Sequence, residues 1–316
     1  MLDKIQSYIE QHKLFSPKDK LILGVSGGPD SVFLVRVLTS LKYKHLAIAH
    51  VDHMIRGISA EKDARFVKAL AKKLKLSFFD LQIDTPLYAK ENKLSLEEAA
   101  RQIRLQFFEE LSTRLKTNKV VLAHNANDQA ETIIMRFLRG SGMQGLVGIE
   151  PQKKIGKLNV CRPLLNTWRE EIMAYHKENK EAFCIDETNK EEIYLRNRVR
   201  LSLIPELQKY NPNLGETMLR MAEVFREEES FMRLETERLL KEVIQNKKKN
   251  ALRLDPKKLY KQPLAMQRRI IRTAIEQVQG DLDNVSLLYV ENFIRNNLTT
   301  IRLDDRGILH TSKEKV

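Results

Sequence analysis

The sequence predicts an α/β protein, a doubly wound parallel sheet followed by a smaller, mainly helical C-terminal domain. Three observations predict it. Apolar runs of strand length alternate with amphipathic stretches of helix length over residues 1–205. The chain's 316 residues exceed one typical domain and suffice for two. After about Pro205 the strand-like runs give way to helical periodicity, which places the second domain at residues 206–316.

The elements follow in order. An amphipathic helix opens the chain, MLDKIQSYIEQHKLF, its acidic residues unlike a signal peptide. Lys20 to Val25 reads as a buried strand, with a helix from Ser31 to Leu41 behind it. His45 to Val51 is the next strand, Ser59 to Lys75 a basic helix, and Ser77 to Ile83 a third strand. Ser95 opens a long helix to Leu115, with Glu98 completing a capping box. Val120 to Ala123 is a fourth strand, and a helix runs from about Asp128 to Arg139. Such sheets bind ligands beyond the carboxyl ends of their strands. In the second domain, Asn211-Pro212 starts a charged helical stretch to about Asn246, and Lys247-Lys248-Lys249 is a break. Helices are expected over Leu264–Val278 and Leu287–Asn297, then a small hairpin around Asp305-Arg306-Gly307.

Hydrophobic residues make up 42% and charged residues 31%, the balance of a globular rather than a disordered chain. No apolar run nears the roughly 20 residues of a membrane span, so no membrane partner and a cytoplasmic location are expected. The two cysteines, Cys161 and Cys184, form no CxxC pair, which argues against a zinc ribbon or iron–sulfur site. Lys plus Arg number 55 against 42 for Asp plus Glu, a net charge of +13. That excess fits either a polyanionic partner or a solvated, lysine-rich surface.

The strongest local signal is Ser26-Gly27-Gly28-Pro29-Asp30-Ser31, between the first strand and its helix. Two glycines let backbone amides approach an anion, the helix N-terminus adds its dipole, and Ser26 and Ser31 add hydroxyls. No lysine follows the glycines, so this is not a Walker A loop. It suits ATP cleaved to AMP and pyrophosphate, with Asp30 holding a magnesium ion against the phosphates. His50, Asp52 and His53, at the end of the second strand, either line the nucleotide pocket or bind metal. Asp128 and Glu131 are three apart at a helix start, hence on one face. That geometry seats an ammonium, although helix N-termini favour acids in any case. Arg101 with Arg104, and Arg196 with Arg200, share helical faces and either steady ATP or grip RNA phosphates. Trp168 and the helically spaced phenylalanines read as core.

The SGGPDS loop resembles the signature of the PP-loop (N-type) ATP pyrophosphatases. Further stretches are His50-Val51-Asp52-His53 to Arg56, Glu97-Glu98-Ala99-Ala100-Arg101, and Ala123-His124 to Thr132. After these come Leu138-Arg139-Gly140-Ser141-Gly142, Arg162-Pro163-Leu164-Leu165, Asp186-Glu187-Thr188-Asn189 and Arg196-Asn197-Arg198-Val199-Arg200. In this order, over roughly residues 20 to 205, they resemble the tRNA(Ile)-lysidine synthetase family. The resemblance implies a two-step reaction: ATP adenylates the wobble cytidine in the anticodon loop of an isoleucine tRNA, then the ε-amine of free L-lysine displaces AMP. It implies Asp30, Asp128 and Glu131 as catalytic residues. ATP would be bound by Ser26 to Ser31, His50, Asp52, His53 and Arg104, and lysine by Asp128 and Glu131. Arg101, Arg196 and Arg200 would contact tRNA or its phosphates, as would Lys247 to Lys249, Lys257, Lys258, Arg268 and Arg269 in the second domain. Where the family usually has His and Asp, this chain has Asn125 and Asn127. The chain stops where longer members continue, so a short-form member is expected; a homodimer is left open. Three other readings compete with this one. A tRNA thiolase needs a sulfur-delivering cysteine, and neither cysteine is expected at the phosphate loop. A basic RNA-binding protein with a degenerate ATPase fold would not need an intact loop with Asp30. An amidotransferase-type synthetase would need a glutaminase domain, which the sequence lacks.

Overall fold

The computed structural model describes residues 1–55, 58–185, 195–282, 285–304 and 307–313. Arg56, the Asp186-Glu187-Thr188-Asn189 stretch, and Asp305 and Arg306 of the expected hairpin lie outside the described residues. The chain forms two compact units, Met1–Glu223 and Val224–Val316.

The first unit runs α1 (Leu2–Gln11), β1 (Leu21–Gly24), α2 (Pro29–Ser40), β2 (Leu46–Asp52), α3 (Ile58–Leu74) and β3 (Ser77–Gln82). It continues with α4 (Thr85–Asn92), α5 (Leu96–Leu115), β4 (Lys119–Val121), α6 (Ala126–Leu138), α7 (Met143–Leu146), β5 (Gln152–Ile155), β6 (Leu158–Cys161) and α8 (Arg169–Glu178). A helical stretch then begins with α9 (Leu195–Arg198), passes through a π-helical turn (Val199–Leu203) and ends in α10 (Ile204–Tyr210). The six strands lie in the order β3-β2-β1-β4-β6-β5. All neighbours are parallel except the β5–β6 hairpin at one edge.

Strand β1 shows why the sheet is covered on both faces. Leu21 and Leu23 enter one apolar layer with Phe33, Leu34 and Ile48, while Ile22 enters the other with Phe107, Phe108 and Val160. Each such buried side chain contributes about 1.5–3 kcal/mol. The expected capping box of α5 is formed: Ser95 Oγ accepts from Glu98 N and the Glu98 carboxylate from Ser95 N. Chain order reverses between β1 and β4, which are hydrogen-bonded neighbours although two strands separate them in sequence. A crevice opens beyond the carboxyl ends of strands at such a reversal. The loop after β1 and the turn after β4 therefore meet there.

The first unit extends beyond residue 205, where the sequence pattern changes. The division falls inside α11 (Leu214–Val243). The reason is packing around Trp168: a Cβ at Gly215 would lie 2.5 Å from its ring, and its indole Nε1 donates to Glu216 at 2.5 Å.

The second unit carries β7 (Ile244–Lys248), β8 (Ala251–Leu254), α12 (Pro256–Leu259), α13 (Leu264–Gln279), α14 (Leu287–Arg295), β9 (Thr300–Leu303) and β10 (Leu309–Ser312). Helices predominate, as the sequence suggests, but they pack on an antiparallel sheet ordered β10-β9-β8-β7. Leu252 and Ile301 meet Ile270, Ile271 and Phe293 in its core. The expected C-terminal hairpin is the β9–β10 pair. The lysine tract is not a break: Lys247 and Lys248 end the edge strand β7 and Lys249 begins the turn to β8. Among the described residues no helix is long and apolar enough to cross a membrane.

Candidate phosphate-binding and acid site

The loop begins where β1 ends and closes on Gly28, the extended residue that caps α2. Gly27 has φ +95°, a conformation that costs residues with a Cβ about 1–2 kcal/mol. Hydroxyls satisfy the loop's amides: Gly27 N donates to Ser31 Oγ at 3.2 Å and Gly28 N to Ser26 Oγ at 3.4 Å. Charged phosphate oxygens make stronger acceptors for the same amides. Two buried histidines brace the backbone on either side. His50 Nδ1 donates to the carbonyl of Val25 at 2.8 Å, and His176 Nε2 to that of Pro29 at 2.9 Å.

Cys184, expected away from the loop, lies against it. Its backbone NH donates to the Gly27 carbonyl at 2.9 Å, and a Cβ on Gly27 would meet its sulfur, and Val67, at 3.3 Å. Gly27→Ala is therefore expected to lower stability by about 1–2 kcal/mol through the backbone conformation alone. Urea unfolding of the full chain measures this. An unchanged midpoint would mean that the loop adopts another backbone conformation.

Asp30 sits on the first turn of α2, half-buried, with Arg169 Nη1 3.4 Å from its Oδ2. Its Oδ1 is buried without a hydrogen-bond partner. Burial raises its pKa, Arg169 opposes this, and the charge of Asp128 adds to it. A buried, unmatched carboxylate oxygen beside a phosphate loop suits a divalent cation. Among the described residues no cluster of three or more His, Cys, Asp or Glu side chains forms a metal cage. An ion at Asp30 would thus complete its coordination from phosphate and water, the usual habit of magnesium.

After β4, Asn125 caps α6: its Oδ1 accepts from Asp128 N at 3.1 Å, and Asp128 Oδ2 accepts from Asn125 N at 2.9 Å. Asn127 Oδ1 accepts from Arg169 N at 2.9 Å, which ties α6 to α8. Both asparagines, the departures from the family pattern, thus act on the backbone, and the Asn125 side chain also hydrogen-bonds the Asp30 carboxylate. Gln129, between the acids, takes Ile149 N and donates to the Val147 carbonyl, anchoring the loop before β5.

The acids meet as expected, but around a guanidinium. Arg196 Nη2 lies 2.7 Å from Asp128 Oδ1 and its Nε 2.8 Å from Glu131 Oε2. Arg196, read from the sequence as a phosphate-gripping residue, is held by the acid pair in this structure. Burial raises the pKa of Glu131, only 4% exposed, and Arg196 opposes the rise. Arg200, on the π-helical turn, is close enough for its charge to lower both Asp30 and Glu131. Glu131 and Arg200 also line a cavity of about 260 Å³ with Asn127, Trp168, Glu170 and Glu216. Trp168, expected in the core, is instead a wall of this cavity, because its indole NH needs a polar partner. His124 ends the strand side of the site; burial pushes its pKa down to about 4, so it is neutral at pH 7.

The other expected residues divide. Asp52 Oδ1 accepts from Met54 N and its Oδ2 from Gln82, while His53 pairs with Thr85 at 2.8 Å. These contacts shape the turn after β2. Arg101 and Arg104 are exposed on α5, and the charge of Arg104 acts on His124. In the second unit Arg268 pairs with Glu291 and Arg269 with Glu229, so each guanidinium expected to contact tRNA already holds a carboxylate. Lys258 Nζ reaches the Glu242 carbonyl and Lys247 Nζ reaches Gln277, while Lys257 lies exposed on α12. His124, Arg169 and His176 are the neighbours that sequence reasoning passed over. His176 is 147 residues from the carbonyl it holds, and no local spacing signals it.

A parallel sheet with a Gly-Gly-Pro-Asp loop at its reversal point, facing carboxylates from the next strand end, defines a phosphate-binding α/β domain. Residues 1–207 match the PP-loop domain model, and the chain belongs to the PP-loop family. It is 37% identical over 298 residues to a tRNA(Ile)-lysidine synthase of Caldanaerobacter subterraneus subsp. tengcongensis, covering 93% of this chain and 63% of that protein. It is 31% identical over 296 residues to the tRNA(Ile)-lysidine synthase of Bacillus subtilis, with 93% and 63% covered. The chain thus spans less than two thirds of the length of these relatives. Among solved structures, the U34-tRNA thiolase NcsA from Methanococcus maripaludis shares the fold. Its TM-score is 0.56 at 16% identity, over 71% of this chain and 78% of that one.

Proposed function

We propose that this chain is a tRNA(Ile)-lysidine synthetase, which uses ATP to adenylate the wobble cytidine and then joins lysine to it. One observation carries the reading: the phosphate loop with Asp30 faces the Asp128–Glu131 pair across the crevice, near enough for Asp128 to perturb Asp30. In the first step the cytosine carbonyl oxygen attacks the α-phosphorus and pyrophosphate leaves into the loop. Gly27 and Gly28 amides and the α2 N-terminus receive that charge. Magnesium, when bound, would offset phosphate charge beside Asp30. In the second step the ε-nitrogen of lysine attacks the activated carbon and AMP departs. Asp128 and Glu131 orient the ammonium. Glu131, its carboxyl raised by burial, is the natural acceptor of the proton the amine must lose. His50 acts here by bracing the loop.

The test is mass analysis of the wobble cytidine after incubation with ATP and isotopically labelled lysine. Label joined to that base, with AMP formed in equal amount, is expected. Label absent while AMP still forms would point to another nucleophile. A sulfur nucleophile is disfavoured by the buried Cys161, whose thiol burial pushes up to about 12, and by the lack of a second cysteine near Cys184.

The second unit is proposed to bind tRNA through the basic edge of its sheet. With a net charge of +13 on the chain, binding should weaken steeply with salt. Neutralising Lys247, Lys248 and Lys249 together is expected to flatten the salt slope by about one to three phosphate equivalents, each about 0.7–0.9. Full-length tRNA binding the triple variant with an unaltered slope would remove the tract from the interface.

A further inference from the structure

We propose that Arg196 is a resident cation on the amine seat, and that nucleotide must draw it away before lysine can enter. This rests on the lysine reading above and adds an order of binding to it. Both Asp128 oxygens already accept: Oδ2 caps α6 through Asn125 N at 2.9 Å and Oδ1 holds Arg196 at 2.7 Å. Glu131 Oε2 is held by the same guanidinium at 2.8 Å. An ammonium therefore competes with Arg196 for the same atoms.

Charge decides which occupant is favoured. Around the crevice Asp30, Asp128 and Glu131 face Arg169, Arg196 and Arg200. At the acid pair the Arg196 guanidinium already supplies the compensating charge, so lysine entering alone must displace it. A bound triphosphate reverses this. It adds negative charge and offers a guanidinium the planar, bidentate contact it prefers. With Arg196 on phosphate, the acids are left for the amine, which enters beside Glu131 through the cavity of about 260 Å³. Lysine is then admitted only to a nucleotide-loaded site.

Calorimetric titration of the whole chain with L-lysine tests this. Five samples are compared: protein alone, protein with magnesium and an ATP analogue carrying a methylene between the α- and β-phosphates, protein with that analogue and tRNA, Arg196→Met alone and Arg196→Lys alone. The analogue is expected to tighten lysine binding by about tenfold or more, inside the usual 5–150-fold range of coupling between sites. By linkage, saturating lysine must tighten analogue binding by the same factor. Arg196→Met should bind lysine without nucleotide about as tightly as the loaded wild type, whereas Arg196→Lys, which keeps a tethered cation, should not. Equal lysine affinity with and without the analogue in the wild-type protein would overturn the inference even if both variants fail to fold. Lysine binding to no sample, including wild type with analogue and tRNA, would overturn the lysine reading itself and this inference with it.

Discussion

Replacing Asp30 by alanine is expected to reduce pyrophosphate release by about 10²–10³-fold, the usual cost of removing one group that stabilises developing charge. The reason is positional. Asp30 starts α2 directly behind the two glycines, and its buried Oδ1 makes no hydrogen bond within the protein, which leaves it open to a ligand. Losing the carboxylate removes that contact and leaves Arg169 to swing onto the phosphates. Asp30→Asn keeps the side-chain volume and should be almost as impaired, because the charge is what is lost. Affinity for tRNA should change little in either variant, as measured by filter binding at fixed salt. A variant that keeps most of its pyrophosphate release would take Asp30 out of the reaction.

The second large effect is a separation of the two steps at the acid pair. With Asp128→Asn or Glu131→Gln, adenylated tRNA is expected to accumulate while the KM for lysine rises. Hydrogen bonds to charged groups contribute about 1.5–3 kcal/mol, which corresponds to roughly 10–150-fold. The two variants should differ in a way the structure explains. Asparagine at 128 still offers an oxygen to Asn125 N, so the α6 cap survives and the loss falls on the cation seat, where Arg196 is held now. At 131 the residue is buried and is the proposed proton acceptor, so Glu131→Gln should also slow lysine transfer at saturating lysine. Rapid quenching and separation of adenylated from lysine-bearing tRNA gives both quantities. Loss of adenylation with unchanged lysine affinity would assign the pair to the nucleotide instead.

Much of this site was legible in the sequence because its chemistry sits at the ends of regular elements. The loop from Ser26 to Ser31 and the acids at Asp128 and Glu131 each follow an apolar strand and open a helix. Local pattern places both at carboxyl strand ends. The alternation of strands and helices also suffices for a parallel sheet covered on both faces. Where pattern misled, a polar group was satisfied by a distant partner. Trp168 looked apolar enough for the core until its NH found Glu216. The lysine tract looked like a break because a strand at a sheet edge need not alternate, its outer side having no layer to face.

The sequence by itself determined where the glycine-rich loop falls and how it is built, since glycine, proline and serine at fixed spacing shape a turn locally. Only the tertiary structure decided what those residues meet. Strand order put β1 beside β4 and so brought Asp30 towards Asp128. The turn of helix after Leu195 laid Arg196 across both acids, 65 residues from Glu131 and 68 from Asp128. The chain's return at Cys184 closed on Gly27, and His176 took the Pro29 carbonyl from 147 residues away. Such pairings follow from the geometry of a packed interior, where each buried polar group must find a partner wherever the fold supplies one. Local spacing carries no trace of them, because a hydrogen bond is selective for distance in space and indifferent to distance along the chain.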